Sequence, residues 1–198
     1  MKFVVRIIFN VILLGIVSGC VSMQQMQSGM DEINSFWGEA NQKIISSKGT
    51  RIYPNKAIDC WIAAKESAIQ LGFTVIEESN NSILTAQALT PIPFTVDEYK
   101  AIKAIEEPMM QAIAANHVGK FYSNFYYLDE GGKFYVTIKV QITPEADDKS
   151  SVRVTFRIDP TEEIKGYSFI YGHNPPPESV RKGLEKWWHT FERNLIQK

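Results

Sequence analysis

From Phe134 to Ile142 the chain alternates without interruption, with Phe134, Val136, Ile138, Val140 and Ile142 on one side and Tyr135, Thr137, Lys139 and Gln141 on the other. A period of two is the mark of a strand whose one face is apolar and whose other face is wet. Such a strand cannot stand alone. It requires neighbouring strands and a layer that covers the apolar face. The rest of the chain supplies both. Phe73–Glu77 and Ile83–Ala88 read as two strands joined through the turn pair Asn80 and Asn81. Phe121–Leu128 and Val152–Ile158 also read as strands, with Gly131–Gly132 and Asp147–Ser150 as turns. A short strand at Thr50–Tyr53 precedes them.

Two helices are available as the covering layer. Asn55 is placed to cap one that runs to Leu71, with Ala57, Trp61, Ala64, Ala68 and Leu71 along its apolar arc, Ile58, Ile62 and Ile69 on its flank, and Gly72 ending it. Pro175–Pro177 launch the second, whose stripe is Val180, Leu184, Trp187, Trp188, Phe191 and Leu195. The expected fold class is therefore α+β, an antiparallel sheet of about five to six strands packed against an N-terminal helix and a long C-terminal helix. Residues 51–198 form one domain in this reading. Thr90–Lys120 is an insertion between strands, longer than a hairpin needs, and is expected to hold two short helices split at Pro108.

The first fifty residues have a different character. Lys2 and Arg6 precede an apolar run from Ile7 to Val17, and Ser18 and Gly19 lead into Cys20. As a helix that run spans roughly 16 Å, about half a hydrocarbon core, which suits a signal peptide better than a membrane span. Val17, Ser18, Gly19 and Cys20 resemble the bacterial lipobox. The resemblance implies that residues 1–19 are cleaved, that Cys20 becomes the new N-terminus, and that its thiol carries a diacylglyceryl group with further acylation (palmitate or similar). Several acyl chains anchor stably where one does not. With Val21 rather than Asp after the cysteine, the resemblance implies the outer membrane, on the periplasmic side, with surface exposure also open. Loss of Lys2 and Arg6 would lower the formal charge of -1 by two more. A mildly acidic chain is not suited to nucleic acid or to polybasic membrane attachment, so the lipid must hold it.

Residues 20–50 read as a tether. Met23, Met26, Met30, Ile33, Trp37, Ala40 and Ile44 recur at alternating spacings of three and four, the stripe of a short amphipathic helix that packs on its own domain or docks a partner.

The phrases "AIQLGFTVIEES" and "SILTAQ", a helix, a glycine stop and a hairpin, are similar to those of BamC-type lipoproteins. That resemblance implies a helix-grip arrangement, a curved sheet around the terminal helix, and a role as an accessory of outer-membrane β-barrel assembly. BamC-type chains carry two such domains and a long N-terminal stretch, whereas this one has room for one domain.

No catalytic pattern emerges. His117, His173 and His189 lack metal-ligand spacing, so neither a metal nor a cofactor beyond the covalent lipid is expected. His189 should be solvated, and His173 could meet Glu178. The carboxylate pairs Asp97–Glu98 and Glu106–Glu107 read as helix-start residues, the first through a capping box with Thr95 and the second just ahead of Pro108. Glu162–Glu163 is a third such pair. Cys60 reads as buried and structural.

The expected function is that of a non-enzymatic, protein-binding envelope lipoprotein. Its candidate partner surfaces are Ile33 and Trp37 on the tether and Tyr99, Met109 and Met110 on the insertion. The alternative is a carrier of lipid or a small hydrophobic ligand in a groove lined by Phe134, Trp187 and Phe191. An envelope enzyme is a third class that the residues do not support, and the oligomeric state is open.

Overall fold

The computed structural model describes residues 21–145, 148–164 and 172–196. The expected signal peptide, Cys20, the first residue of the Asp147–Ser150 turn and the aromatic stretch Tyr167–Tyr171 lie outside the described residues.

The alternating segment is the centre of the fold. β4 (Phe134–Pro144) pairs antiparallel with β3 (Ile83–Leu89) on one side and β5 (Ser150–Pro160) on the other. β2 (Thr74–Ser79) completes a hairpin with β3, and Asn80 and Asn81 both adopt positive φ in its turn. β1 (Thr50–Tyr53) adds to the free edge of β5. The order across the five-stranded sheet is β1-β5-β4-β3-β2, antiparallel throughout.

Because side chains alternate, the register sets Leu84, Val140 and Val154 side by side on the apolar face. Two helices cover that face. α2 (Ala57–Gln70) starts one residue later than the Asn55 cap implies. Lys56 occupies the cap position and gives no side-chain bond. Its buried side is also rotated from the expected arc. Cys60, Ala63, Ala64, Ser67 and Ala68 face inward, and Ile58 and Ile69 are exposed. Small side chains let this helix lie close against its neighbours, and that close contact outweighs burying the larger isoleucines. α4 (Pro177–Ile196) buries the whole expected stripe, Val180, Leu184, Trp187, Trp188, Phe191 and Leu195. The fold is thus α+β, with helices on one sheet face.

The segment expected as a tether is α1 (Met23–Lys48), a 26-residue helix. Ser22 and Gln25 form a reciprocal capping box at its start. The insertion is a second long helix, α3 (Val96–Ser123), 28 residues in length. It does not split at Pro108. Lys103, Glu106 and Met110 are buried on either side of the proline, and their packing holds both halves in line despite a local cost of about 3 kcal/mol. The non-helical residue is Gly119, at φ 78° and ψ 163°.

The expected strand Phe121–Leu128 is absent. Its first turn belongs to α3, and the remainder turns back so that Tyr126 and Leu128 pack on α1. Aromatic β propensity here yields to tertiary packing. α1 and α3 share a core of their own, made by Met30, Ile33, Trp37, Met110, Ala114 and Val118. Gly29 permits the close approach. A Cβ there would stand 3.1 Å from the Tyr126 hydroxyl oxygen, which donates a 2.9 Å bond to the Met26 carbonyl.

The helical pair is fastened to the sheet layer by polar contacts. Trp188 Nε1 donates to the Lys48 carbonyl at 2.9 Å, and Asn41 Nδ2 donates to the Pro175 carbonyl at 2.7 Å. Lys186 Nζ bridges Glu98 at 2.6 Å and the Pro93 carbonyl at 3.0 Å.

Candidate functional site: an apolar cavity between two proline runs

β3 leads into Thr90–Phe94, where tight backbone turns link Leu89 to Ile92 and Pro91 to Phe94. Gly132 N donates to both the carbonyl and the hydroxyl of Thr90, at 2.7 and 3.0 Å, which pins this loop to the approach into β4. The second proline run, ahead of α4, meets it from the other side. Between them lies a cavity of about 50 Å³. Its floor is Phe134, Val136, Phe156 and Ile158 of the sheet, and its walls are Pro91, Pro93, Pro175 and Pro176, with Trp37 and Tyr99 closing the helical side. A space of this size holds a few waters or a short apolar group.

Tyr99, Asp129 and Lys103 at its margin are already committed. Tyr99 donates to Asp129 Oδ1 at 3.4 Å, and the second Asp129 oxygen accepts from Gly131 N and Lys133 N at 3.1 and 3.3 Å. Burial, reinforced by the Asp129 carboxylate, pushes the Tyr99 phenol above its ordinary pKa, so it remains a protonated donor. Lys103 is tied to Glu130 at 2.6 Å and to the Asp129 carbonyl at 3.4 Å. No nucleophile-base pair meets the cavity in these contacts. The walls suit an apolar group and offer little to orient a polar one.

The structure redistributes the residues expected to bind. Ile33 and Trp37 are fully buried between α1 and α3, and Met110 is buried against them. They cannot form a partner surface in this fold. Tyr99 is also buried, at the cavity, whereas Met109 is exposed. Of the three expected groove residues, Phe134 lines the cavity. Trp187 and Phe191 do not, because they stack on one another at 6.3 Å inside the sheet-helix core.

The titratable residues are placed as follows. Glu98 caps α3 with Thr95, as its spacing implies. The Lys186 ammonium holds its carboxyl below the ordinary value. Glu106 and Glu107 are mid-helix rather than at a helix start. Glu106 accepts from the Glu178 backbone N–H at 2.5 Å and so caps α4 from another element, and Glu107 accepts from Leu128 N at 3.0 Å. His117 meets Glu32, His173 meets Asp159 at 2.8 Å rather than Glu178, and His189 is exposed. Cys60 is buried, and burial raises its thiol pKa. Among the described residues no cluster of His, Cys, Asp or Glu is arranged to hold a metal, and no helix is long and apolar enough to cross a membrane.

Two features went unread in the sequence. One is the meeting of the proline runs, for which "TPIPF" and "NPPP" were the available signal. The other is a group of exposed aromatics after Gly119, hidden by their assignment to a strand.

No family model, curated protein or solved structure matches the chain.

Proposed function

We propose that this chain is a lipid-anchored envelope lipoprotein whose folded part is a non-enzymatic binding module. The observation that carries the proposal is the Val17–Cys20 motif at the end of an apolar run, followed within two residues by the Ser22 cap of α1. An acylated Cys20 would therefore sit directly on the folded module rather than at the end of a long tether. Tyr99, Asp129, Lys103 and Thr90 around the cavity are engaged in turns and an ion pair, which supports binding rather than catalysis. The partner is taken to be an envelope protein, as for accessories of β-barrel assembly.

The test is fractionation of cells that express the wild type and Cys20→Ala, combined with in-cell crosslinking. Membrane recovery of the wild type, its loss in the variant, and crosslinks to defined envelope components are the expected results. Equal membrane recovery of both forms would remove the anchor from the account.

The apolar cavity favours a second reading, carriage of a small hydrophobic group. Native mass spectrometry of gently extracted protein should then reveal a co-purifying mass that Val136→Trp abolishes. A protein that carries no added mass beyond its own acylation would count against carriage.

A further inference from the structure

The end of α3 and the segment just after it expose an aromatic surface. Phe121 is 71% exposed, Phe125 65% and Tyr127 54%. Phe121 lies edge-on to Tyr122 at 5.3 Å and to Phe125 at 6.1 Å, so these rings form one patch rather than scattered side chains, and exposed Tyr127 follows Phe125 two residues on in the chain. Gly119 places it: after the non-helical residue the chain resumes a helical turn in a new direction, and the rings following it are carried outward.

The patch lies beside the start of α1. Tyr126, next to Phe125 in sequence, bonds the Met26 carbonyl through its hydroxyl, and Val21 and Tyr122 pack on the same small core. Val21 directly follows Cys20. The expected point of acylation and the aromatic patch are therefore at the same end of the α1-α3 pair.

Charge is consistent with this placement. No acidic or basic residue occurs from Val21 to Met30, nor from Phe121 to Leu128, and Lys120 stands immediately before the patch. The two uncharged stretches are bounded by Asp31 and Asp129, and Glu32 meets His117 near Lys120. Within them, aromatic rings flanked by amide and hydroxyl side chains and by a lysine suit the interfacial zone of a bilayer, where amphipathic rings settle and a cation meets lipid phosphate.

We propose that Phe121, Phe125 and Tyr127, with exposed Met23, form a membrane-interface surface that seats the module against the lipid leaflet holding its anchor. The proposal rests on the lipid-anchor reading and adds an orientation to it. The acyl chains supply attachment, and the patch fixes which side of the module faces the bilayer.

The experiment uses full-length, acylated protein reconstituted in vesicles of phosphatidylethanolamine with phosphatidylglycerol, its acylation verified by intact mass. An environment-sensitive dye is placed on Phe125→Cys or, as a control, on Ile76→Cys, an exposed site at the β2 bulge. Quenching by lipids brominated near the headgroup is then measured. The label at 125 should be quenched strongly and the label at 76 only weakly. Replacing Phe121 and Tyr127 by Ser in the 125-labelled protein should lower the ratio of seated to unseated molecules at least about tenfold, since the lost apolar burial shifts the equilibrium by that order or more.

Equal, weak quenching at both sites in protein whose mass shows acylation would overturn the proposal and leave the anchor standing. Absence of acyl mass would instead strike the anchor reading, which this inference requires. If the dye at 125 is shielded in detergent without vesicles, and the shielding grows with protein concentration, the patch is an interface between copies and the proposal fails.

Discussion

At the scale of single residues, Glu106 shows how buried polarity is used. Its carboxyl accepts from the first turn of α4 while lying buried beneath that helix, and burial raises its pKa above the ordinary value of 4.5. The folded chain then binds this proton more tightly than the unfolded chain, so this group's contribution to stability falls as pH rises from 4.5 through the raised value. Glu98 and Glu178 act in the opposite sense. Lys186 and Arg181 depress their pKa values, and the stability they add is lost on acidification below 4.5. Glu106→Gln keeps an oxygen for the Glu178 N–H and removes the titration. Urea midpoints measured against pH should show a flatter profile above 4.5, with stability at neutral pH equal to or above that of the wild type. Glu106→Ala removes the acceptor as well and is expected to fall about 1–2 kcal/mol below Glu106→Gln. Gly119 gives a second prediction. A Cβ at this position would meet nothing within 4 Å, but φ 78° strains any L residue, so Gly119→Ala should cost about 1–3 kcal/mol in the same assay.

At the scale of elements, α1 decides whether the N-terminal segment is a tether or part of the fold. Ile33 and Trp37 are fully buried against α3. Truncation of a buried aliphatic or aromatic side chain of this size costs about 2–5 kcal/mol. Ile33→Ala and Trp37→Ala should therefore lower the thermal midpoint cooperatively with the whole domain, as read from circular dichroism, whereas Phe36→Ala at an exposed site on the same helix should change little. Unchanged midpoints for the two buried variants would return the segment to a tether.

The same helix shows what was legible in sequence. Its stripe of Met30, Ile33 and Trp37 was visible, but the Ser22–Gln25 capping box at its start went unread. What the stripe would meet was not legible, because its partner, the Met110 to Val118 face of α3, was expected as a separate short helix after Pro108, and Tyr126 and Leu128 of the same core as part of a strand. Strands β1 to β5 were legible because alternation and turn residues are local. The continuity of α3 through Pro108 was not, since the contacts that hold it are with α1 and α4, distant in sequence. The cavity was foreseen only through Phe134. Trp187 and Phe191 belong to an ordinary core, and their stripe could not distinguish a groove from a filled interior.

At the scale of the molecule, a sheet-and-helix layer is joined to a helical pair that has an expected lipid at one end. Lys186, Trp188 and Asn41 connect the two layers through bonds to Glu98 and to the carbonyls of Pro93, Lys48 and Pro175. Unfolding should be a single transition followed alike by tryptophan fluorescence and far-ultraviolet circular dichroism, because Trp37 reports the helical pair and Trp187 the sheet layer. Separated transitions would mean that the two cores melt independently.

The central claim is that acylated Cys20 anchors this module directly. Its most direct test is the intact mass of protein extracted with detergent from bacterial cells that process lipoproteins. The expected result is a chain beginning at Cys20 that carries the mass of a diacylglyceryl group, with or without a further acyl chain. A chain that retains residues 1–19, or begins elsewhere with Cys20 unmodified, would contradict it.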